Sequence, residues 1–372
     1  MRIRLHDVVV FIIASILVTV LSCTRPAEVR ARAEGNVGRA TSGDVSVGVD
    51  GGAAAVRELN DGKLRLWAGQ PAFAAHLHTG TRAGAWRIVI ENAMLAADVA
   101  ISGGGAPREE NGNVPTERIY EVDLPAGADI EIRLTPRDVP RPGQGFRFLV
   151  FGDVQDAIDR VQDIYRSMNA VDGARFAIIV GDLTETGTTS QLERFQAEQK
   201  SLRMPLYATV GNHELGADDP PEYYAWYGRA TYGFGFGDVA FTLVDSASAT
   251  VDPIADEILE GLLANGRDRL HFVGMHIPPV DPIGVRNGAF ASHSEAQRLL
   301  SKLADARVDL TVYGHVHSYY AFSNAGIPAF ITGGGGAIPE RFDGTGRHYL
   351  IVDADPVRNV FDVALVRVGP SD

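Results

Sequence analysis

Polar residues able to bind a cation stand again and again at the ends of apolar runs. Asp153 follows FRFLVFG and Asp182 follows FAIIVG. Asn212 and His213 follow LYATVG, and His276 follows LHFVGM. His315 and His317 lie in YGHVH after DLTV, and Gln155 stands two residues beyond Asp153. Carboxylates, an amide and imidazoles without a thiolate suit Mn, Fe, Zn or similar ions. The set is too large for one tetrahedral zinc. It fits a pair of ions that share a bridging carboxylate, as in two-metal hydrolysis.

Chemistry spread over this much sequence needs elements that bring it together. FRFLVF reads as a buried strand, and Ile158, Val161, Ile164, Tyr165 and Met168 then recur at helical spacing. FAIIV is the next strand, which completes a β-α-β unit. Leu192, Phe195 and Leu202 mark a second helix before LYATV. VAFTLVD, LHFVGM, DLTVYG, PAFIT, YLIVD and VFDVALVRV supply later strands, with helices near 255–264 and 293–306. Ser292 and Glu295 have capping-box spacing for the last helix. In such sheets ligands gather at the carboxyl ends of strands, where the polar residues lie. Before this region the period is two: WRIVIEN, IYEVDLP and DIEIRL alternate as half-buried antiparallel strands do. The expected organisation is a segment 1–22, a flexible tether over 23–61 and a small β-sandwich over 62–136. PAGA at 125–128 reads as a hairpin turn, and 135–145 as a Pro/Gly-rich linker to an α/β domain over 146–368.

The ordered set GD, GDLTE, GNHE, GMHIPP and GHVH resembles the calcineurin-like metallophosphoesterase family. The resemblance implies two packed β-sheets flanked by helices, with a dinuclear metal site at one edge. It implies that Asp182 bridges the ions, that Asp153 and His317 serve one, and that Asn212, His276 and His315 serve the other. It implies that His213 binds no metal but steadies the phosphate and protonates the leaving oxygen. Gln155 departs from the family, which mostly has a histidine there. A glutamine could ligate through its amide oxygen, hold a metal-bound water, or leave that ion loosely held. TGGGG at 332–336 reads as a tight turn near the site rather than a phosphate loop.

The N-terminus carries Arg2 and Arg4, an uncharged run from Val8 to Leu21, and then Ser22-Cys23. The run is short for a spanning helix. Val20-Leu21-Ser22-Cys23 resembles a bacterial lipobox, and Cys23 is the only cysteine in the chain. The resemblance implies a lipoprotein signal peptide over 1–22, lipid attachment at Cys23 and an extracytoplasmic place on the cell envelope. Thr24 beside it implies the outer membrane in a cell that has two. A net charge of −13 disfavours general nucleic-acid binding, which needs a basic face. The expected activity is hydrolysis of phosphate mono- or diesters. The competing reading is a catalytically impaired surface protein that uses the same fold for binding, with the β-domain engaging an unidentified partner. His76, His78, His271, His293 and His348 fall outside the ordered set and read as surface, packed or capping residues. The aromatic stretch 222–236 reads as a loop leading into a hairpin core, with a substrate platform as the alternative.

Overall fold

The computed structural model describes residues 29–216, 221–285, 288–341 and 345–369. The segment 1–22, Cys23 and Thr24 lie outside the described residues.

The described chain starts with a helix, α1 (29–36). Ten strands follow: β1 (Arg39–Ser42), β2 (Val45–Val49), β3 (Ala54–Asn60), β4 (Lys63–Ala68), β5 (Phe73–His78), β6 (Gly84–Glu91), β7 (Ala97–Ser102), β8 (Arg108–Glu110), β9 (Arg118–Leu124) and β10 (Asp129–Pro136). They build two five-stranded sheets, ordered β1-β2-β5-β10-β7 and β3-β4-β6-β9-β8. Alternation puts Trp86, Ile88 and Ile90 of β6 and Ile130, Ile132 and Leu134 of β10 into one core.

Two expectations are corrected here. Residues 39–60 are not a tether: β1, β2 and β3 occupy them and enlarge the β-domain at its N-terminal side. Their Gly, Ala and charged residues hide a short alternation, with Val45, Val47 and Val49 buried. PAGA is not a hairpin turn either. It carries the chain from β9 in one sheet to β10 in the other, and β10 pairs with β5 and β7 instead.

The second domain holds β11 (Phe146–Phe151), α2 (Gln162–Asn169), β12 (Ala174–Val180), α3 (Thr189–Gln199), β13 (Leu206–Thr209) and a short α4 (Tyr223–Tyr227). Then come β14 (Tyr232–Phe236), β15 (Val239–Val244), α5 (Pro253–Gly266), β16 (Leu270–Met275), α6 (His293–Asp305) and β17 (Leu310–Tyr313). The last strands are β18 (Tyr319–Asn324), β19 (Ile327–Thr332), β20 (His348–Asp355) and β21 (Val360–Arg367). One sheet runs β13-β12-β11-β20-β21 and the other β14-β15-β16-β17-β19-β18. β11, β12 and β13 are parallel, and so are β15, β16, β17 and β19. Phenylalanines fill the space between the sheets. Phe148 stacks on Phe176 at 5.7 Å and meets Phe272 edge-on at 5.4 Å. Outside one sheet, Ile164 and Met168 of α2 pack with Leu149 and Phe151. Outside the other, Leu259 and Leu263 of α5 and Leu299 and Leu303 of α6 pack with Val273 and Met275.

The expected metallophosphoesterase architecture of two packed sheets flanked by helices is the one observed, with an all-β domain before it. Ser292 caps α6 by accepting from the Glu295 N–H at 3.4 Å. The reciprocal half of the capping box is missing, because the Glu295 carboxylate accepts from Thr250 Oγ1 instead, at 2.6 Å.

Candidate active site

The five polar strand ends expected to converge do converge, where β11, β12 and β13 of one sheet meet β16 and β17 of the other. The turns that follow them are unusually bent. Asp153, Gln155, Asp182 and His315 all have positive φ, between 50° and 67°. Each such non-glycine residue costs on the order of 1–3 kcal/mol, a strain typical of functional sites. Glycine is required at two of the approaches. A Cβ on Gly211 would lie 2.1 Å from Asp182 Oδ1, and one on Gly314 would lie 2.6 Å from Asp153 Oδ2.

Asp182 stands at the centre. It shares one triad of potential ligand atoms with His276 and His315, and a second with Asp153 and His317. Within each triad the atoms lie inside 4.8 Å of one another. Asp153, Asp182 and His276 form a fully buried floor, while His213 and His317 are partly open to solvent at the mouth. Asn212 Oδ1 is 2.9 Å from His276 Nε2, which is 3.2 Å from Asp182 Oδ1. His276 donates from Nδ1 to the Val180 carbonyl at 2.8 Å, so Nε2 is the nitrogen turned toward these oxygens.

That arrangement tests whether a cation fits. His276 Nε2, Asn212 Oδ1 and Asp182 Oδ1 converge there; the His213 N–H donates to Asp182 Oδ1 at 3.0 Å, and a cation, or a proton on Nε2, satisfies what remains. The His276 pKa expresses the same demand. Burial lowers it, but the Asp182 carboxylate outweighs burial and raises it to about 9. Burial pushes Asp153 up to about 6, partly offset by His276. The donor set therefore fits a cation at Asp182, Asn212, His276 and His315. At the other corner Asp153 Oδ1 is 3.6 Å from His317 Nε2. His317 Nδ1 donates to the Ile338 carbonyl at 2.8 Å, which again turns Nε2 inward. Gln155 is buried beside this corner, its Nε2 2.8 Å from Asp182 Oδ2.

His213 is held differently. Its backbone N–H donates to Asp182 Oδ1 at 3.0 Å, and its Nδ1 donates to the Glu185 carbonyl at 2.6 Å. Nε2 lies 3.8 Å from Asp182 Oδ2. Residues 146–319 match the family described as calcineurin-like phosphoesterase. They form a calcineurin-like phosphoesterase domain. No curated protein matches the chain. Among solved structures, PhoD is similar over 81% of this chain and 90% of its own, at 10% identity and a TM-score of 0.48. GAP50, the anchor in the inner membrane complex of Plasmodium, covers 61% of this chain with 86% of its own, at 14% identity and a TM-score of 0.48. A dimetal phosphatase from Danio rerio covers 60% with 99% of its own, at 13% identity and a TM-score of 0.45. At these values no activity or substrate passes from any of them to this chain.

One residue of the phosphoesterase domain's motifs gains a part that spacing did not reveal. Glu214 is fully buried, and its Oε1 accepts from the Thr184 N–H and Oγ1, both at 2.9 Å. Its Oε2 accepts from the Gly211 N–H at 2.9 Å. The carboxylate thus ties the loop after Asp182 to the loop that carries Asn212 and His213. The TGGGG turn lies behind the site: Gly335 N–H donates to Gly152 and Ala337 N–H to Asp153. Tyr223, Tyr224 and Tyr227 of α4 are buried, and β14 pairs with β15, so the aromatic stretch is a packed hairpin base. His76 and His78 pair on the surface with Asp50 and Asp129. His271 is buried against Thr242, and His348 is buried beneath Gly334.

Proposed function

We propose that the chain hydrolyses phosphate mono- or diesters at a two-ion centre, in a protein held outside the cytoplasmic membrane through a lipid on Cys23. The observation that carries the reading is the sharing of Asp182 between two clusters of cation ligands, with His213 beside them. Asp153, His317 and Asp182 would hold one ion, with Gln155 alongside. Asn212, His276, His315 and Asp182 would hold the other. Bound cations at such a centre supply positive charge for the phosphoryl oxygens and lower the pKa of a bound water. Mn, Fe or Zn suit these donors.

The remaining work falls to this chain's own residues. Val180, Ile338 and Glu185 carbonyls fix the three imidazoles His276, His317 and His213, each through Nδ1. The Nε2 of His213 is then left on the side of Asp182, 3.8 Å from its Oδ2, where it would donate its proton to the leaving oxygen.

The test is reconstitution of the chain from residue 24 with Mn²⁺, Fe²⁺ or Zn²⁺, assayed on chromogenic mono- and diesters side by side. Hydrolysis of either ester that disappears with a chelator supports the reading. Ion binding with no hydrolysis of any ester would favour the impaired binding protein instead. The anchor has its own test: a fatty-acid analogue should label the wild type in bacterial cells and not Cys23→Ala. Equal labelling would remove the lipid from the proposal.

A further inference from the structure

We propose that Gln155 competes with a cation at the Asp153/His317 corner. Its amide nitrogen satisfies the acceptors there, so one ion is held tightly and the second enters only as the amide turns away. The proposal rests on the two-ion reading above.

The partners fix which way the amide points. Gln155 Nε2 lies 2.8 Å from Asp182 Oδ2 and 3.1 Å from His317 Nε2. His317 uses Nδ1 to donate to the Ile338 carbonyl, so its Nε2 is an acceptor. Both neighbours therefore accept, and an NH₂ group with two N–H bonds matches both. Turning the amide over would set Oε1 against a carboxylate oxygen.

The side chain is also committed to this place. It is 6% exposed and its backbone has φ 50°, with the N–H donating to the Asp182 carbonyl at 3.2 Å. At the opposite corner the His213 backbone N–H donates to Asp182 Oδ1 at 3.0 Å, while His276 Nε2 and Asn212 Oδ1 lie 2.9 Å apart and face the same space. The two corners thus differ in what they ask of an ion. At His276 an ion meets the imidazole nitrogen and the Asn212 oxygen, and Asp182 Oδ1 keeps a lone pair beside the one that the His213 N–H uses. At His317 it must take Asp182 Oδ2 and His317 Nε2 from an amide that already bonds them. Breaking a hydrogen bond to a charged group weakens binding by on the order of tenfold or more.

Removing the donor without adding a ligand tests this. The full chain in detergent would be titrated calorimetrically with Mn²⁺, wild type beside Gln155→Ala and Gln155→Met. Electron paramagnetic resonance would separate isolated ions from coupled pairs. The wild type should show two unequal sites. Both variants should keep the tight site and tighten the weak one by on the order of tenfold, so coupled pairs form at lower Mn²⁺. Methionine keeps most of the side-chain volume, so it decides the matter if the alanine variant does not fold. A weakened second site in the variants would mean that Gln155 ligates through Oε1, and the proposal would fall. An unchanged second site would also overturn it. Failure of the wild type itself to bind any Mn²⁺ would instead reject the two-ion reading, so the two failures are told apart in one titration.

Discussion

His213 and Asp182 are neighbours to which the proposed function gives separable duties. Burial opposes a charged His213 imidazole, but the Asp182 carboxylate and the Glu185 carbonyl outweigh it, and the pKa stays above the ordinary histidine value. Nδ1 is committed to the Glu185 carbonyl, so in the proposed reaction the proton for a leaving oxygen would be the one on Nε2. His213→Ala should keep its ions and lose turnover by on the order of 10²–10⁴-fold, as expected for a missing general acid. Asp182→Asn should lose both, since it removes the charge common to the two ligand clusters. Metal content measured beside turnover distinguishes them, and loss of metal in His213→Ala would make that residue a ligand. These positions were legible in the sequence because each polar residue ends an apolar run, and strand ends in such sheets meet. Glu214 was not, although GNHE contains it. Its partners, Thr184 and Gly211, come to it only through the fold, and no spacing rule points a glutamate at a backbone amide across two loops.

Between elements, the critical question is what covers the open edge of β13. It is the last strand of its sheet, and an unpaired edge invites mispairing. The β-domain answers with one side chain. Asn92, at φ 62° just past β6, accepts from the Leu206 N–H at 2.8 Å and donates to the Leu206 carbonyl at 2.9 Å. It also donates to the Ala68 carbonyl at 2.8 Å, so it joins both domains. Arg57 adds a second tie, its guanidinium 3.5 Å above the Trp226 ring. Asn92→Ala would leave the buried Leu206 amide unpaired and should cost roughly 1–3 kcal/mol. Chemical denaturation would read the loss, and amide exchange should quicken at Leu206. A stability equal to wild type would show that the domains are joined mainly elsewhere. Strand identity in the β-domain was legible because alternation is a local property of the chain. Pairing was not: β9 and β10 look like a hairpin across PAGA, yet the partners of β10 lie more than 25 residues upstream. Nothing local distinguishes a turn within a sheet from a crossing between sheets.

At the scale of the whole molecule, α1 binds the N-terminal end of the described chain to the phosphoesterase domain. Arg30 donates to Ser248 Oγ at 2.6 Å, pairs with Asp252 and lies 3.7 Å from Asp245. Next to Asp245, Ser246 Oγ donates to the Ile277 carbonyl and accepts its N–H, at 3.0 and 2.8 Å. Ile277 directly follows His276, so the helix is joined to the loop that carries this candidate ligand by a short run of polar contacts. Glu34 closes the other end. Its Oε1 accepts from the Ala230 and Thr231 amides at 3.1 and 2.7 Å. Burial raises its pKa from 4.5 to about 8, against the opposing pull of the Thr231 N–H. The consequence for stability has a definite sign. Below pH 4.5 both folded and unfolded chains carry the proton, and the stabilisation is fully present. Between about 4.5 and about 8 the unfolded chain releases the proton while the folded one keeps it, so stability falls as pH rises. Glu34→Gln retains an oxygen for the two amides but cannot ionise. The melting temperature of the wild type relative to Glu34→Gln should therefore drop steadily from pH 5 to pH 8, a window set by those two pKa values. Other titrating groups are common to both proteins and cancel in the difference. A difference that stays level across this range would mean that Glu34 is charged in the folded protein, held by its two amides and Arg229 rather than by a proton.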